Sequence, residues 1–125
     1  MVNTKYYEEF QGEDAVKIWM NEGGKESGIL VWRGFFEAIL EGCFKKDFQK
    51  GGLVECYYFQ NGFFDDTWCM KYPEVVLQEL RGFDETQLKH LDKEIVLQSK
   101  EIVQCLLFFV HAAVNLKQRI NIEYI

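Results

Sequence analysis

Residues 53–70 read LVECYYFQNGFFDDTWCM and carry the strongest local structural signal in the chain. Two runs rich in apolar and aromatic residues, 53–60 and 63–70, flank the dipeptide Asn61-Gly62. Asn and Gly tolerate the two positive φ angles of a type I′ turn, so the pattern predicts a β-hairpin with this dipeptide at its tip. We expect one face of the hairpin to lie in the core: Leu53, Tyr57, Phe59, Phe64, Trp68 and Met70.

The other face of the predicted hairpin is more polar but keeps two aromatic residues, Tyr58 and Phe63. Neighbouring strand residues point to opposite faces, so Asp65 and Asp66 cannot share one proton or one metal ion. We interpret this acidic pair as a solvated edge or a contact with a partner.

Upstream of the hairpin, residues 13–22 predict a helix that ends at Gly23-Gly24, a terminator typical of a helix C-terminus. Residues 5–10 fit either a short strand or a helical turn, and residues 29–32 are open between a buried strand and a helix. From Gly34 onward apolar side chains recur at helical spacing as far as Phe44, which predicts a second helix.

Downstream, Pro73 marks the start of a short helix that ends at Gly82. Asp84, with Gln87 three residues later, is a variant of the capping box and predicts another helix start. The longest helix is predicted from Lys93 to Leu116. Its residues from Ile102 to Val114 are apolar on nearly all sides, which predicts that other elements cover it. Alternation of polar and apolar residues over 120–124 predicts a half-buried strand.

These elements predict an α+β fold in a single globular domain, residues 1–125. The expected core is a small, mostly antiparallel sheet containing the Asn-Gly hairpin, packed against the long C-terminal helix. Shorter helices surround that pair.

Composition excludes several functional classes. Apolar residues make up 48% of the chain and aromatic residues 16%, which is too much apolar surface for intrinsic disorder. The net charge of −6 argues against direct binding of nucleic acid, which requires cations. The longest nearly apolar run, Cys105 to Val114, is half the roughly 20 residues of a membrane span, and the first residues contain no apolar signal segment. We therefore expect a cytoplasmic protein without membrane association.

No pattern of catalytic, nucleotide-binding or metal-binding residues is complete. Glu37 and Glu41 are one helical turn apart, but no further ligand at matching spacing supports a metal, and we interpret them as a solvated helix face. We interpret His90 as a surface residue and His111 as a core residue. The expectation is a protein without enzymatic activity, cofactor or metal.

The four cysteines, at positions 43, 56, 69 and 105, form no CxxC motif, so we expect reduced, buried and slowly reacting thiols. In the predicted hairpin Cys56 and Cys69 share the more polar face.

The acidic charge is concentrated in one quarter of the chain. Residues 55–85 contain two basic and seven acidic side chains, a net charge of −5, and aromatic residues are interleaved with them. Aromatic side chains supply contact area, and carboxylates steer association with a cationic surface. Glu79 belongs to this acidic segment. The predicted contact residues for a basic partner are Glu55, Tyr58, Phe63, Asp65, Asp66, Glu74, Asp84 and Glu85.

A small, acidic single domain with these exposed carboxylates and aromatic residues resembles the bacterial immunity proteins that neutralise nuclease toxins, including those of contact-dependent growth inhibition systems. The resemblance implies stoichiometric binding to a basic nuclease domain and blocking of its active site by mimicry of phosphate charge. The alternative is a small-ligand-binding or enzymatic domain. Its pocket would lie between the sheet and the long helix, lined by Cys56, Cys69, Cys105, His111 and aromatic residues.

Overall fold

The computed structural model describes residues 1–64 and 66–125 and confirms the α+β fold class. A five-stranded mixed sheet has the order β1-β3-β2-β5-β4, with β1 parallel to β3 and the other three pairs antiparallel. The strands are β1 (Val2–Tyr6), β2 (Ala15–Glu22), β3 (Lys25–Trp32), β4 (Trp68–Cys69) and β5 (Asn121–Tyr124). The helices are α1 (Arg33–Cys43), α2 (Leu53–Phe59), α3 (Pro73–Arg81) and α4 (Lys93–Asn115), with 3₁₀ turns at Glu8–Phe10 and Glu85–Leu88.

The helix predicted over residues 13–22 is wrong, because this segment is the central strand β2. It pairs with β3 along its whole length and with β5 over four residues. Most of its side chains are buried, so its sequence lacks the alternation that marks a half-exposed strand. Gly23 and Gly24 have φ angles of 59° and 82° and form the two-residue turn into β3.

The hairpin predicted over residues 53–70 is also wrong. Its first half is helix α2, and the carboxylate of Glu79, a residue of α3, caps the start of that helix. The backbone amides of Leu53 and Val54 donate to the two Glu79 carboxylate oxygens, with N···O distances of 2.7 and 3.1 Å. These amides are orphan donors at a helix start, and a residue 26 and 25 positions downstream, respectively, satisfies them.

Among the described residues of the second half of the predicted hairpin, 63–64 and 66–70, a strand forms only at β4, which pairs with β5. Gly62 has the expected positive φ of 69°, but its N–H donates to the Cys56 carbonyl and closes the end of α2. The predicted core face is correspondingly wrong in part, since Phe59 and Phe64 are 59% and 57% exposed whereas Leu53 and Met70 are buried.

The remaining predicted elements, helices α1, α3 and α4 and the strand β5, are confirmed. Residues 29–32, which the sequence left open between a strand and a helix, belong to strand β3. The open segment 5–10 contains the end of β1 and a 3₁₀ turn. Asp84 caps the following turn through the Thr86 amide. Gln87 does not complete a capping box but donates from its amide to three carbonyls at the end of α1: Glu41, Gly42 and Phe44.

Helix α4 packs against α1 and α3, and its buried face includes Ile102, Leu106 and Val110. The expectation that other elements cover it on all sides is wrong: Phe108 is 80% exposed and Phe109 is half-buried. By length and composition alone α4 meets the criteria for a membrane-spanning helix, which core helices of soluble proteins also meet.

Candidate functional site

Two of the acidic residues in segment 55–85 support the start of helix α2. Glu79 caps α2, as described above, and Glu55 accepts a hydrogen bond from the Gly51 amide just before that helix. Burial raises the pKa of Glu79, although its two backbone hydrogen bonds act in the opposite direction. Part of the negative charge of segment 55–85 therefore comes from carboxylates that accept hydrogen bonds at the start of a helix.

Asp84 and Glu85 lie together on the wall of a cavity of about 720 Å³, which also has basic residues in its lining. Glu85 forms an ion pair with Lys100 at 3.1 Å. Hydrogen bonds from the Thr86 side chain and amide lower the pKa of Asp84, and Lys45, another residue of the lining, lowers it further. These two carboxylates therefore have cationic neighbours within the chain.

The other predicted contact residues are dispersed. Asp66 and Glu74 are exposed, and Tyr58 is 39% exposed. The assignment of Phe63 to a polar, partner-facing surface is wrong, because its ring is 2% exposed and packs edge-on against Phe36. Asp65 lies outside the described residues.

A second cavity brings carboxylates and aromatic rings together. We call it the acidic-aromatic groove; it has a volume of about 410 Å³ and lies between α1, α2, the end of β3 and the region where α4 starts. Tyr58 belongs both to the predicted contact residues and to this groove. The lining residues are Trp32, Gly34, Glu37, Ala38, Glu41, Tyr57, Tyr58, Leu91 and Ile95.

Helix α1 supplies the two carboxylates of the groove. Phe36, Ile39 and Leu40 point into the core, and this fixes which side of the helix carries Glu37 and Glu41. Residues four apart lie on the same helix face, so both carboxylates reach the groove. The spacing of the pair is visible in the sequence, but the aromatic residues that complete the groove come from α2 and β3, so the sequence alone predicts only a solvated helix face.

The chain itself supplies partners for Glu37. Arg33 Nε lies 3.4 Å from Glu37 Oε2, and the Tyr124 hydroxyl donates to the same oxygen at 3.3 Å. The Arg33 guanidinium also pairs with Asp14 at 3.1 Å and stacks over the rings of Phe64 and Tyr124, 4.6 and 4.5 Å from their centroids. Next to the acidic-aromatic groove, the guanidinium of Arg33 thus already lies between carboxylates and aromatic rings.

Glu41 is less well satisfied. Its Oε2 atom is shielded from solvent and accepts no hydrogen bond, although the side chain as a whole is 41% exposed. His90 Nε2 lies 2.9 Å from this oxygen, but the contact does not have hydrogen-bond geometry. A shielded acceptor without a donor is costly, so this carboxylate favours an additional donor.

Two tyrosines form the α2 wall of the groove. Burial and then the Glu37 carboxylate raise the pKa of Tyr57, whereas burial and then Glu41 raise the pKa of Tyr58 to about 12. Both phenols therefore stay neutral and can donate hydrogen bonds. Tyr58 contacts Tyr57 and Phe44 edge-on, each with centroids 4.9 Å apart.

The alternative function, ligand binding, predicts a pocket between the sheet and the long helix, and the cavity found there has a different lining from the predicted one. A cavity of about 390 Å³ lies between the sheet and α4 and is lined by Ile29, Cys105, Phe108 and Phe109 among others. The predicted lining residues Cys56, Cys69 and His111 lie elsewhere. Their side chains contact the Gly62 carbonyl, Asn121 and Arg81, respectively.

Cys43 and Cys56 are buried as expected, whereas Cys69 and Cys105 are half-buried. Burial raises the pKa of Cys43 to about 12 and that of Cys56 to about 11. A reactive cysteine requires a lowered pKa. Among residues 1–64 and 66–125, no group of three or more potential metal ligands comes together.

No protein-family model, curated protein or solved structure significantly matches this chain. The interpretation of the acidic-aromatic groove therefore depends on its own residues. Carboxylates beside neutral phenols and aromatic rings are suited to binding a cation.

Proposed function

We propose that this protein binds a basic partner protein and neutralises it, as an immunity protein neutralises a nuclease toxin. The observation that supports this proposal is the acidic-aromatic groove, which combines Glu37 and Glu41 with Tyr57 and Tyr58. Tyrosine is enriched in protein interfaces because one ring supplies a large apolar area and a polar hydroxyl.

The charge of the chain supports the same proposal. At a net charge of −6, a cationic protein is attracted over distances of about a Debye length, roughly 8 Å at physiological ionic strength. Such steering accelerates association, whereas the groove supplies the short-range contacts that slow dissociation. A nuclease domain has the required basic surface because it binds phosphates.

The test is capture of the partner from native cells, followed by binding kinetics at two salt concentrations. The captured protein is then assayed for nuclease activity that this chain inhibits at a one-to-one ratio. Retention of no basic protein, or a retained protein without inhibited activity, contradicts the proposal.

Three double variants, each removing two negative charges, locate the contact: Glu37→Gln with Glu41→Gln, Asp84→Asn with Glu85→Gln, and Asp66→Asn with Glu74→Gln. Truncating one side of a buried charge pair costs about 2–5 kcal/mol and speeds dissociation, whereas loss of a peripheral charge mainly slows association. We expect the first variant to dissociate faster and the other two to show reduced association that depends on salt. Identical effects of all three variants contradict a contact at the groove.

A second candidate function is small-ligand binding in the 390 Å³ cavity between the sheet and α4. Its volume falls in the range of about 300–1,000 Å³ that is typical of ligand pockets, and its lining is mostly apolar. Asn3 and Gln104 are the polar side chains of its described lining. Phe108→Glu places a charge at its rim. This change is expected to abolish ligand binding there and to leave capture of a basic partner intact.

A further inference from the structure

We infer that the acidic-aromatic groove is a receptor for a single arginine side chain of the basic partner, with Glu41 as the carboxylate that binds it. This inference rests on the proposed function and specifies the chemistry of the contact. It is carried by the lining of the cavity, by the incomplete hydrogen bonding of Glu41, and by an internal arginine bound in the same way next to the groove.

The lining of the groove matches a guanidinium group. A guanidinium is planar, donates hydrogen bonds at its edge and stacks on aromatic rings with its faces. The groove supplies carboxylate acceptors from α1 and aromatic rings from Trp32, Tyr57 and Tyr58. None of its described lining residues is a lysine or an arginine. Two basic side chains outside the lining contact its carboxylates: Arg33 pairs with Glu37, and His90 lies 2.9 Å from Glu41.

Glu41 is the carboxylate of the groove with the less complete hydrogen bonding. The neighbouring Glu37 already binds Arg33 and the Tyr124 hydroxyl. Glu41 Oε2 is shielded from solvent, and the nearby His90 imidazole does not supply it with a hydrogen bond. An arriving guanidinium supplies donors to this carboxylate and neutralises its charge.

Arg33 provides the internal comparison. Its guanidinium lies against the rings of Phe64 and Tyr124 and pairs with Asp14 and Glu37. The chain therefore fills one carboxylate-and-ring arrangement with its own arginine. Glu41, one helical turn further along α1, contacts the His90 imidazole at 2.9 Å without hydrogen-bond geometry and, among the described residues, has no arginine beside it.

Arginine suits the groove better than lysine. An ammonium group is strongly hydrated and interacts as a point charge, whereas a guanidinium is weakly hydrated and stacks on rings. Because aromatic and apolar side chains form most of the walls, a cation that enters must lose water over its faces. This requirement selects the guanidinium.

The experiment is an NMR titration of the ¹⁵N-labelled full chain. The probes are arginine, lysine and citrulline, each capped at both ends; citrulline has nearly the shape of arginine but no charge. We expect capped arginine to shift the signals of Ala38, Glu41 and Tyr58, and capped lysine to bind more weakly. Capped citrulline is expected to produce no saturable shift. Equal binding of arginine and either other probe overturns the inference.

Two variants and a matched control assign the binding to the groove. Glu41→Gln keeps the side-chain shape and is expected to weaken binding of capped arginine about tenfold or more, the size of a lost charged hydrogen bond. Tyr58→Leu removes one ring wall and is expected to weaken it less. Glu22→Gln removes the same charge at the other end of the β2–β3 hairpin from Trp32 and is expected to leave binding unchanged. Wild-type affinity in Glu41→Gln, or an equal loss in Glu22→Gln, overturns the inference.

The outcomes also separate this inference from the proposed function. If a basic partner is captured and Glu41→Gln binds it as tightly as wild type does, the arginine receptor is overturned and the proposed function stands. If capped arginine binds but no basic protein is retained, the proposed function is overturned, and the groove is a site for a free guanidinium compound.

Discussion

The sequence predicts a helix end at Gly23-Gly24 and a hairpin turn at Asn61-Gly62, whereas the structure has the hairpin turn at the first and the helix end at the second. The first follows a segment with helical features but joins two strands, whereas the second lies between β-prone runs but follows a helix. Both contain glycine at positive φ, as predicted. A glycine in the left-handed region serves a helix end as well as a hairpin turn, so the turn residues do not identify the elements on either side.

Contacts with residues distant in sequence explain why β2 is a strand and α2 is a helix. β2 has strand neighbours on both sides, and burial of most of its side chains hides the alternation of a strand. α2 is rich in residues that favour strands, such as Val54, Tyr57 and Tyr58, yet Glu79 caps its start. Tertiary contacts therefore override local preference in both regions.

The largest effect on folding is expected from Glu79→Ala. It leaves the Leu53 and Val54 amides without their acceptor at a buried helix start. Each unsatisfied buried donor costs about 1–3 kcal/mol, so the loss of the acceptor for two donors should lower the free energy of unfolding by roughly 2–6 kcal/mol. Urea denaturation measures this change. Glu74→Ala, on the same helix α3 but exposed, is the control and should cost less than about 0.5 kcal/mol. Equal losses in the two variants would mean that the cap does not support α2.

Thiol labelling distinguishes helix α2 from the predicted hairpin. The hairpin places Cys56 and Cys69 on the same face with similar reactivity, whereas in the structure Cys56 is buried and Cys69 is half-buried. The raised pKa of Cys56, about 11 compared with the ordinary 9.0, reduces its thiolate fraction about a hundredfold. We expect a thiol reagent to modify Cys69 at least about tenfold faster than Cys56, as measured by mass spectrometry of peptides over time. Equal rates in the folded protein would favour the hairpin.

Elements with a complete local signal could be predicted from the sequence. Pro73 and Gly82 bound α3, the spacing of Phe36, Ile39 and Leu40 defines α1, and β5 alternates as a half-buried strand does. The two segments whose predicted structure was wrong are stabilised by residues distant in sequence. Strand β2 pairs with β3 and β5, and helix α2 is capped by Glu79. Nothing within residues 53–60 indicates that a carboxylate 25 positions away will cap them.

The candidate site was predictable to a smaller extent. Tyr58 lines the groove as well as belonging to the predicted contact residues. Glu37 and Glu41 were visible as a pair one helical turn apart, but the rings that make the pair a possible cation site come from α2. The concentration of acidic residues in segment 55–85 predicted a contact surface for a partner there. In the structure, three of these residues cap helical segments or stabilise the turns beside them: Glu55, Glu79 and Asp84.

A matched pair of glycine substitutions compares the two turns directly. Gly62→Val places a β-branched residue at a φ of 69°, and its Cβ would lie 3.3 Å from the Phe64 ring. We expect it to cost about 1–3 kcal/mol. Gly24→Val meets the same backbone strain at a φ of 82° but has open space around its Cβ. It should therefore cost less than Gly62→Val. Thermal and urea unfolding of both variants measure the difference. An unchanged stability of Gly62→Val would show that residue 62 does not need a positive φ.

The smallest expected effect is a pH dependence of the Glu79 cap. Burial raises the pKa of Glu79 above its ordinary value of 4.5 in the folded protein. Between the unfolded and folded pKa values the folded state then binds more protons than the unfolded state, so this group stabilises the fold at low pH. That contribution is lost as the pH rises through the folded pKa, with a slope below about 1.4 kcal/mol per pH unit. Glu79→Gln retains a carbonyl acceptor without the titration.

The stability of wild type relative to Glu79→Gln should therefore decline as the pH is raised from about 4.5 through the raised folded pKa of Glu79. Urea denaturation of both proteins across this range measures the difference and cancels the titration of the other groups that they share. A difference that grows with pH would mean that the hydrogen bonds from Leu53 and Val54 outweigh burial and favour the ionised carboxylate. Helix α2 would then be held by a charge-assisted cap, and Glu79→Gln would destabilise it most at neutral pH.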